Sequence, residues 1–310
     1  MNDATLVVLV GLAALTLYAL FGGADFGGGV WDVLASGQRR EAQREAVAHA
    51  MGPVWETNHV WLIFVIVLLF TCFPPAFAAL SVGLYVPLTF VLVGIILRGA
   101  AFAFRSQGEA WGRVFGVASV IAPFFFGCAA GGLAVGAFAW TSPFALAVGV
   151  LAVALCAQIA AVFLTVETGG ALREDFRFRA LAATLVAGAA AAAVPAIAAR
   201  TVPSTFAALT SHATLIDIAL TVGMGALVLA TLAFRRFTLA RVFVALETIG
   251  LLLGWYIAQA GYLIPGAATP ENAAAPAATL HVFLWIVAIG AVVLVPSLVL
   301  LFGLFKADRT

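Results

Sequence analysis

Apolar residues in this chain come in blocks of about twenty or more, with none of the three-or-four-residue rhythm that marks a helix lying on a water-soluble core. Crossing a lipid hydrocarbon layer takes about 20 residues of helix, since each residue rises 1.5 Å through roughly 30 Å. That ruler predicts nine spans at about 4–33, 53–73, 77–97, 114–139, 143–166, 180–199, 213–233, 242–262 and 279–305. Prolines punctuate them. Pro74 and Pro75 break the second span from the third, because Pro75 has no N–H to donate and Pro74 disfavours a helical residue before it. Ser142 and Pro143 are placed as the cap and first residue of the fifth. The sixth, Ala180 to Ala199, is the least apolar and contains Pro195. The fold class expected is all-α: a polytopic transmembrane protein forming one domain over 1–310, with no internal repeat visible by residue matching.

Composition agrees, with 64% hydrophobic and 9% charged residues, too greasy for a single soluble core. Lys plus Arg number 15 against 14 Asp plus Glu, so the chain carries no basic field for nucleic acid. Where the charges fall says more than their sum. The loops after spans one, three, five and seven and the C-terminus hold every Lys and Arg except Arg200. By the positive-inside rule that side is cytoplasmic, which puts the N-terminus in the periplasm and the C-terminus in the cytoplasm. Met1 to Thr5 lack the basic start of a secretory signal, and the N-terminus is expected to stay uncleaved. Cys72, Cys128 and Cys156 lie in apolar segments without C-x-x-C spacing, so neither a disulfide framework nor a zinc site is expected.

A carboxylate at membrane depth costs on the order of 2.5–3.5 kcal/mol to insert, so each one needs a partner, a proton or a job. Asp25 lies roughly 12 Å inside the cytoplasmic end of the first span, flanked by Gly22, Gly23, Gly27, Gly28 and Gly29. Glycines there let another helix backbone, a ring or water come close. Asp25 either pairs with a neighbour for structure or handles protons. Glu56 and His59 open the second span three residues apart on one face, a carboxylate and an imidazole able to pass a proton. His59 reads more readily as a hydrogen-bonded packing residue, and Trp55 and Trp61 as interfacial anchors, with Asn58 on the face of Trp55. Arg98 and Arg105, seven apart on one face, pair with acids of other helices or snorkel to lipid phosphates. Asp217, Glu247 and Glu167 are acids without a motif and read as structural.

A membrane haem takes two axial side chains from facing helices. His49, His59, His212 and His281 are not paired at one depth, so any redox centre is expected in a partner chain. Two other classes compete: a proton-coupled transporter, in which paired broken helices in two inverted halves are expected and not found, and a scaffold that only stabilises a partner.

Four segments carry a family likeness: Gly23 to Gly29, Gly52-Pro53-Val54-Trp55-Glu56-Thr57-Asn58-His59-Val60-Trp61-Leu62, Leu97 to Arg105, and Phe163 to Gly169, with Gly261 to Pro265 and Pro296 in keeping. On these the chain resembles subunit II of cytochrome bd-type quinol oxidases, including the cyanide-insensitive branch. The resemblance implies a haem-bearing partner, subunit I, carrying haem b and haem d or a b-type variant. The complex would oxidise quinol and reduce dioxygen to water in the bacterial inner membrane. It leaves room for a structural quinone and a small third subunit. It implies a non-catalytic role here, with Asp25 and Glu56 at the family's acidic positions supporting proton supply from the cytoplasm. Ala103 stands where many members carry an acid, and Trp55 where a polar residue often precedes the second acid, so a proton route here is thinner than the family's.

Overall fold

The computed structural model describes residues 2–104 and 108–307, without the side chains at 51–57, 109, 295, 298, 299 and 301–307. The described residues form α1 (Asp3–Val33), α2 (Arg40–Cys72), α3 (Pro74–Gly83), α4 (Tyr85–Ala103), α5 (Glu109–Val135), α6 (Pro143–Glu167), α7 (Gly170–Thr201), α8 (Pro203–Leu209), α9 (His212–Ala233), α10 (Phe237–Ala258) and α11 (Ala277–Ala307). Eight of these are long and apolar enough to cross a membrane, and the apolar Asn58–Cys72 stretch of α2 lies where the second span is expected. The chain is an integral, all-helical membrane protein.

Most boundaries fall where punctuation puts them. α2 stops at Cys72 and Pro74 opens α3. The Ser142 hydroxyl accepts from the Ala145 N–H at 3.2 Å, with Pro143 first in α6. Three details differ. The third span is divided at Leu84, because Pro87 has no N–H to offer the Gly83 carbonyl one turn back. The fourth span ends at Val135, where Gly136, Ala137 and Phe138 all turn to positive φ, and the eighth ends at Ala258, before Ala260 and Gly261 do the same. The alanine-rich sixth is one continuous helix of 32 residues with Pro195 inside it.

Packing reveals an order that residue matching misses. α1 packs on α2 and α5, and α4 on α5; likewise α6 packs on α7 and α10, and α9 on α10. Each half has a short proline-started helix, α3 or α8, after its second long helix. The residues before those prolines, Phe73 and Val202, share similar backbone angles (φ −136, ψ 57 and φ −143, ψ 78). The halves meet through α1 against α6 and α5 against α6, while α11 stands at the edge, touching α1 and α2. An even number of crossings separates α1 from α6, so both run the same way. The halves are parallel, not inverted.

One end of the bundle is tied by arginines. Arg39 meets Asp175 at 2.5 Å, Arg235 meets Glu174 at 3.1 Å and Arg241 approaches Glu167 at 3.7 Å. Arg177 donates to the Leu232 and Ala233 carbonyls at the end of α9, at 2.7 and 3.2 Å. At the opposite end, Ile264, Ala273 and Leu280 pack with Val7, Leu68 and Phe73, and the Ala275 N–H donates to the Cys72 carbonyl at 2.8 Å.

Candidate functional site

Asp25 and Arg98, 73 residues apart, face one another inside the bundle, with 0% and 1% of their surface exposed. One Arg98 Nη2 donates to Asp25 Oδ1 at 2.5 Å and to the Asp25 main-chain oxygen at 3.0 Å. Asn58 Nδ2 on α2 donates to Asp25 Oδ2 at 2.8 Å. Both carboxylate oxygens are thus held, one by a cation and one by a neutral amide. Arg98 Nε donates to Ser119 Oγ on α5 at 3.1 Å, and that hydroxyl donates to the Phe115 carbonyl at 2.7 Å. The guanidinium carbon lies 4.7 Å from the Phe115 ring centre and 5.4 Å from that of Phe26, so aromatic faces take up charge that water would otherwise solvate. One centre therefore joins α1, α2, α4 and α5. Of the two readings of Arg98, pairing with an acid is the one observed.

The glycines around Asp25 are needed for this approach. A methyl group at Gly27 would lie 1.8 Å from the Cys156 carbonyl oxygen of α6, and one at Gly29 would lie 2.0 Å from Ser119 Oγ. No side chain fits in either place. Trp31 Nε1 donates to the Ala157 carbonyl at 2.7 Å, fastening the same contact one turn further on.

The other candidates scatter around this centre. The His59 ring is edge-on to Tyr18, with centroids 6.5 Å apart, and Trp61 packs with the cluster of Tyr18, Phe26 and Ala122. Trp55 and Glu56 belong to α2, but their side chains, and Arg105 altogether, lie outside the described residues. Asp32 is buried near the end of α1, where its carbonyl accepts from Arg44 Nε at 3.3 Å.

Two participants have no counterpart in the sequence reading. Ser119 is a lone hydroxyl in an apolar helix and gives no signal until Arg98 is seen against it. Gln158, fully buried on α6, donates from Nε2 to Glu247 Oε2 on α10 at 2.7 Å. A Gln in the middle of a span is costly, and that cost alone marks it. Described His, Cys, Asp and Glu form no group of three that could hold a metal ion, and Cys72, Cys128 and Cys156 are all free thiols.

A family model described as cytochrome bd terminal oxidase subunit II matches residues 3–305. The chain is 32% identical over 111 residues to the cytochrome bd ubiquinol oxidase subunit 2 of Bacillus subtilis (strain 168), covering 34% of this chain and 32% of that one. It is 29% identical over 203 residues to the cytochrome bd-I ubiquinol oxidase subunit 2 of Escherichia coli (strain K12), covering 58% and 52%. Those alignments thus span a third to a half of the curated relatives. In three dimensions the chain superposes on one from the bd oxidase of Geobacillus thermodenitrificans with a TM-score of 0.76 and 21% identity, over 98% of this chain and 99% of that one, which is a shared fold.

Proposed function

The chain belongs to the cytochrome bd terminal oxidase subunit II family, and on that premise we propose that it is the haem-free membrane subunit of a quinol-oxidising, dioxygen-reducing complex. Its partner would be a haem-bearing subunit I in the bacterial inner membrane, with haem b and haem d or a b-type variant in that partner. The observation that carries the reading beyond family membership is the buried Asp25–Arg98 pair with Asn58. A buried ion pair is a poor way to gain stability, because desolvating both charges offsets most of their attraction. It is a good way to keep a negative charge at membrane depth.

The placement of histidines supports leaving the haems to the partner. His212 and His281 are exposed near the starts of α9 and α11, His281 bonded to Asp3 at 2.7 Å, and His49 is exposed in the first half of α2. His59 is alone at the depth of Tyr18 among the four. The four histidines thus offer no facing pair of axial ligands, so no haem step is assigned to them.

For proton supply, Asp25 acts as a fixed charge, since both its oxygens are engaged. The exchanging groups are Glu56 and His59, nearer the arginine-rich end of α2, from which protons enter. Two α2 residues then have distinct tasks: Asn58 orients the Asp25 carboxylate and Glu56 takes up the proton. Trp55, Trp61 and Arg105 belong to the surrounding interface.

The test begins with copurification. The chain is expected to come out of the membrane with a larger chain showing a haem spectrum; a stable, colourless, solitary protein would refute the reading. In that complex, E56Q is expected to slow oxygen consumption and charge uptake together. Unchanged rates would remove Glu56 from the route.

A further inference from the structure

The second half of the chain contains a polar seam that the Asp25 centre does not use. Along α9, Asp217, Thr221 and Gly225 recur every turn on one face; along antiparallel α10, Gly254, Gly250 and Glu247 oppose them. Each rung sets a polar side chain against a glycine. A methyl group at Gly254 would lie 2.2 Å from Asp217 Oδ2, one at Gly250 2.2 Å from Thr221 Oγ1, and one at Gly225 3.0 Å from Glu247 Oε1. On α9 the rungs are about 6 Å apart, four residues at 1.5 Å each, and on α10 the step from Gly250 to Glu247 is about 4.5 Å, gaps that one water can bridge.

Two groups on this seam are buried without a hydrogen-bond partner among the described residues: Thr221 Oγ1, on a residue 9% exposed, and Gln158 Oε1, on a residue 0% exposed. Gln158 spends its Nε2 on Glu247, which leaves its carbonyl end beside that carboxylate. Orphaned buried oxygens of this kind are rare and call for water or an ion. Other acids on elements packed against α10 are engaged elsewhere, Asp25 by Arg98 and Glu167 by Arg241. Asp32 lies at the far end of α1, and His212 is exposed where α9 begins. Asp217 sits one turn inside that start.

We propose that the α6–α9–α10 seam is a water-filled proton route from the membrane face at which α9 begins to Glu247, with Asp217 at its mouth and Thr221 as the relay. A hydronium ion arriving at Asp217 passes its excess proton through water and the Thr221 hydroxyl, which donates one proton as it accepts another. The Glu247 carboxylate becomes a carboxylic acid and water is regenerated; release is the reverse. Gln158 cannot carry a proton onward, so Glu247 is the inner terminus, a buried site that loads and unloads from one face. By the arginine count that face is the outer one, opposite the entry proposed for Glu56.

The test uses the intact complex, reconstituted in one orientation in liposomes, with infrared difference spectra recorded after a pH step on one face at a time. A carboxylic C=O band is expected that is missing in E247Q, responds to pH on the face where α9 begins, and is unmoved by the other face. In T221V the band should appear at least tenfold more slowly, and D217N should slow it as well. A Glu247 band that follows the opposite face, or that responds to sodium at constant pH, would overturn the proposal. So would wild-type rates in T221V and D217N, which keep side-chain volume and remain informative if E247Q does not assemble.

Discussion

Neutralising Asp25 leaves a guanidinium at 1% exposure with no counter-charge, and the size of that penalty can be worked from its contacts. In D25N, Arg98 keeps the main-chain oxygen of residue 25 at 3.0 Å, Ser119 at 3.1 Å and its two aromatic faces, but loses the carboxylate at 2.5 Å. Removing one partner of a buried pair costs about 3–5 kcal/mol, because the survivor stays buried and charged. R98M strands the Asp25 carboxylate with Asn58 alone and should cost a similar amount. The double variant strands neither charge, so it should be more stable than either single one. A double-mutant cycle on the purified complex, read by unfolding in mixed detergent micelles, should give a coupling of about 2 kcal/mol or more between the sites. Additive effects, or single-variant losses below about 1 kcal/mol, would mean that water solvates the pair and that this centre is not a dry one.

Glycine substitutions should split sharply by what each faces. G27A drives a methyl group to 1.8 Å from the Cys156 carbonyl and should abolish assembly, whereas G22A meets the Tyr18 ring at 3.4 Å and the Phe26 ring at 3.6 Å and should be neutral or stabilising by up to about 1 kcal/mol, both read by yield and melting of the complex. R177M removes donors from the Leu232 and Ala233 carbonyls and should fray the end of α9, seen as faster amide hydrogen exchange over the last turn. The hydrogen bond from Asn2 holds the Glu271 carboxyl below the usual glutamate value. Its contribution is therefore present above that ordinary value and lost as pH falls through the lowered one. Protection factors of the amides at residues 3–6, which correct for the pH dependence of intrinsic exchange, should fall on acidification through that window, and N2A should remove that pH dependence.

Membrane insertion, the rough course of the helices and the residues out of place among them can all be read along the chain. Those are one-dimensional properties: the cost of inserting a segment in lipid is summed residue by residue along that segment, whatever it later packs against. Asp25, Asn58 and Arg98 are each conspicuous on that ground, and the glycines near Asp25 announce a close approach. What approaches was not legible. That Asp25 meets Arg98 across 73 residues, that Gly27 receives the Cys156 carbonyl, and that Gln158 holds Glu247 depend on which helix faces are brought together. The parallel halves escaped for a related reason. A packing order can recur wherever helix lengths and contact faces recur, even when few side chains are shared. Helix packing turned isolated costly residues into partners, because a buried charge is defined by what lies within a few ångströms of it, and chain position does not supply that distance.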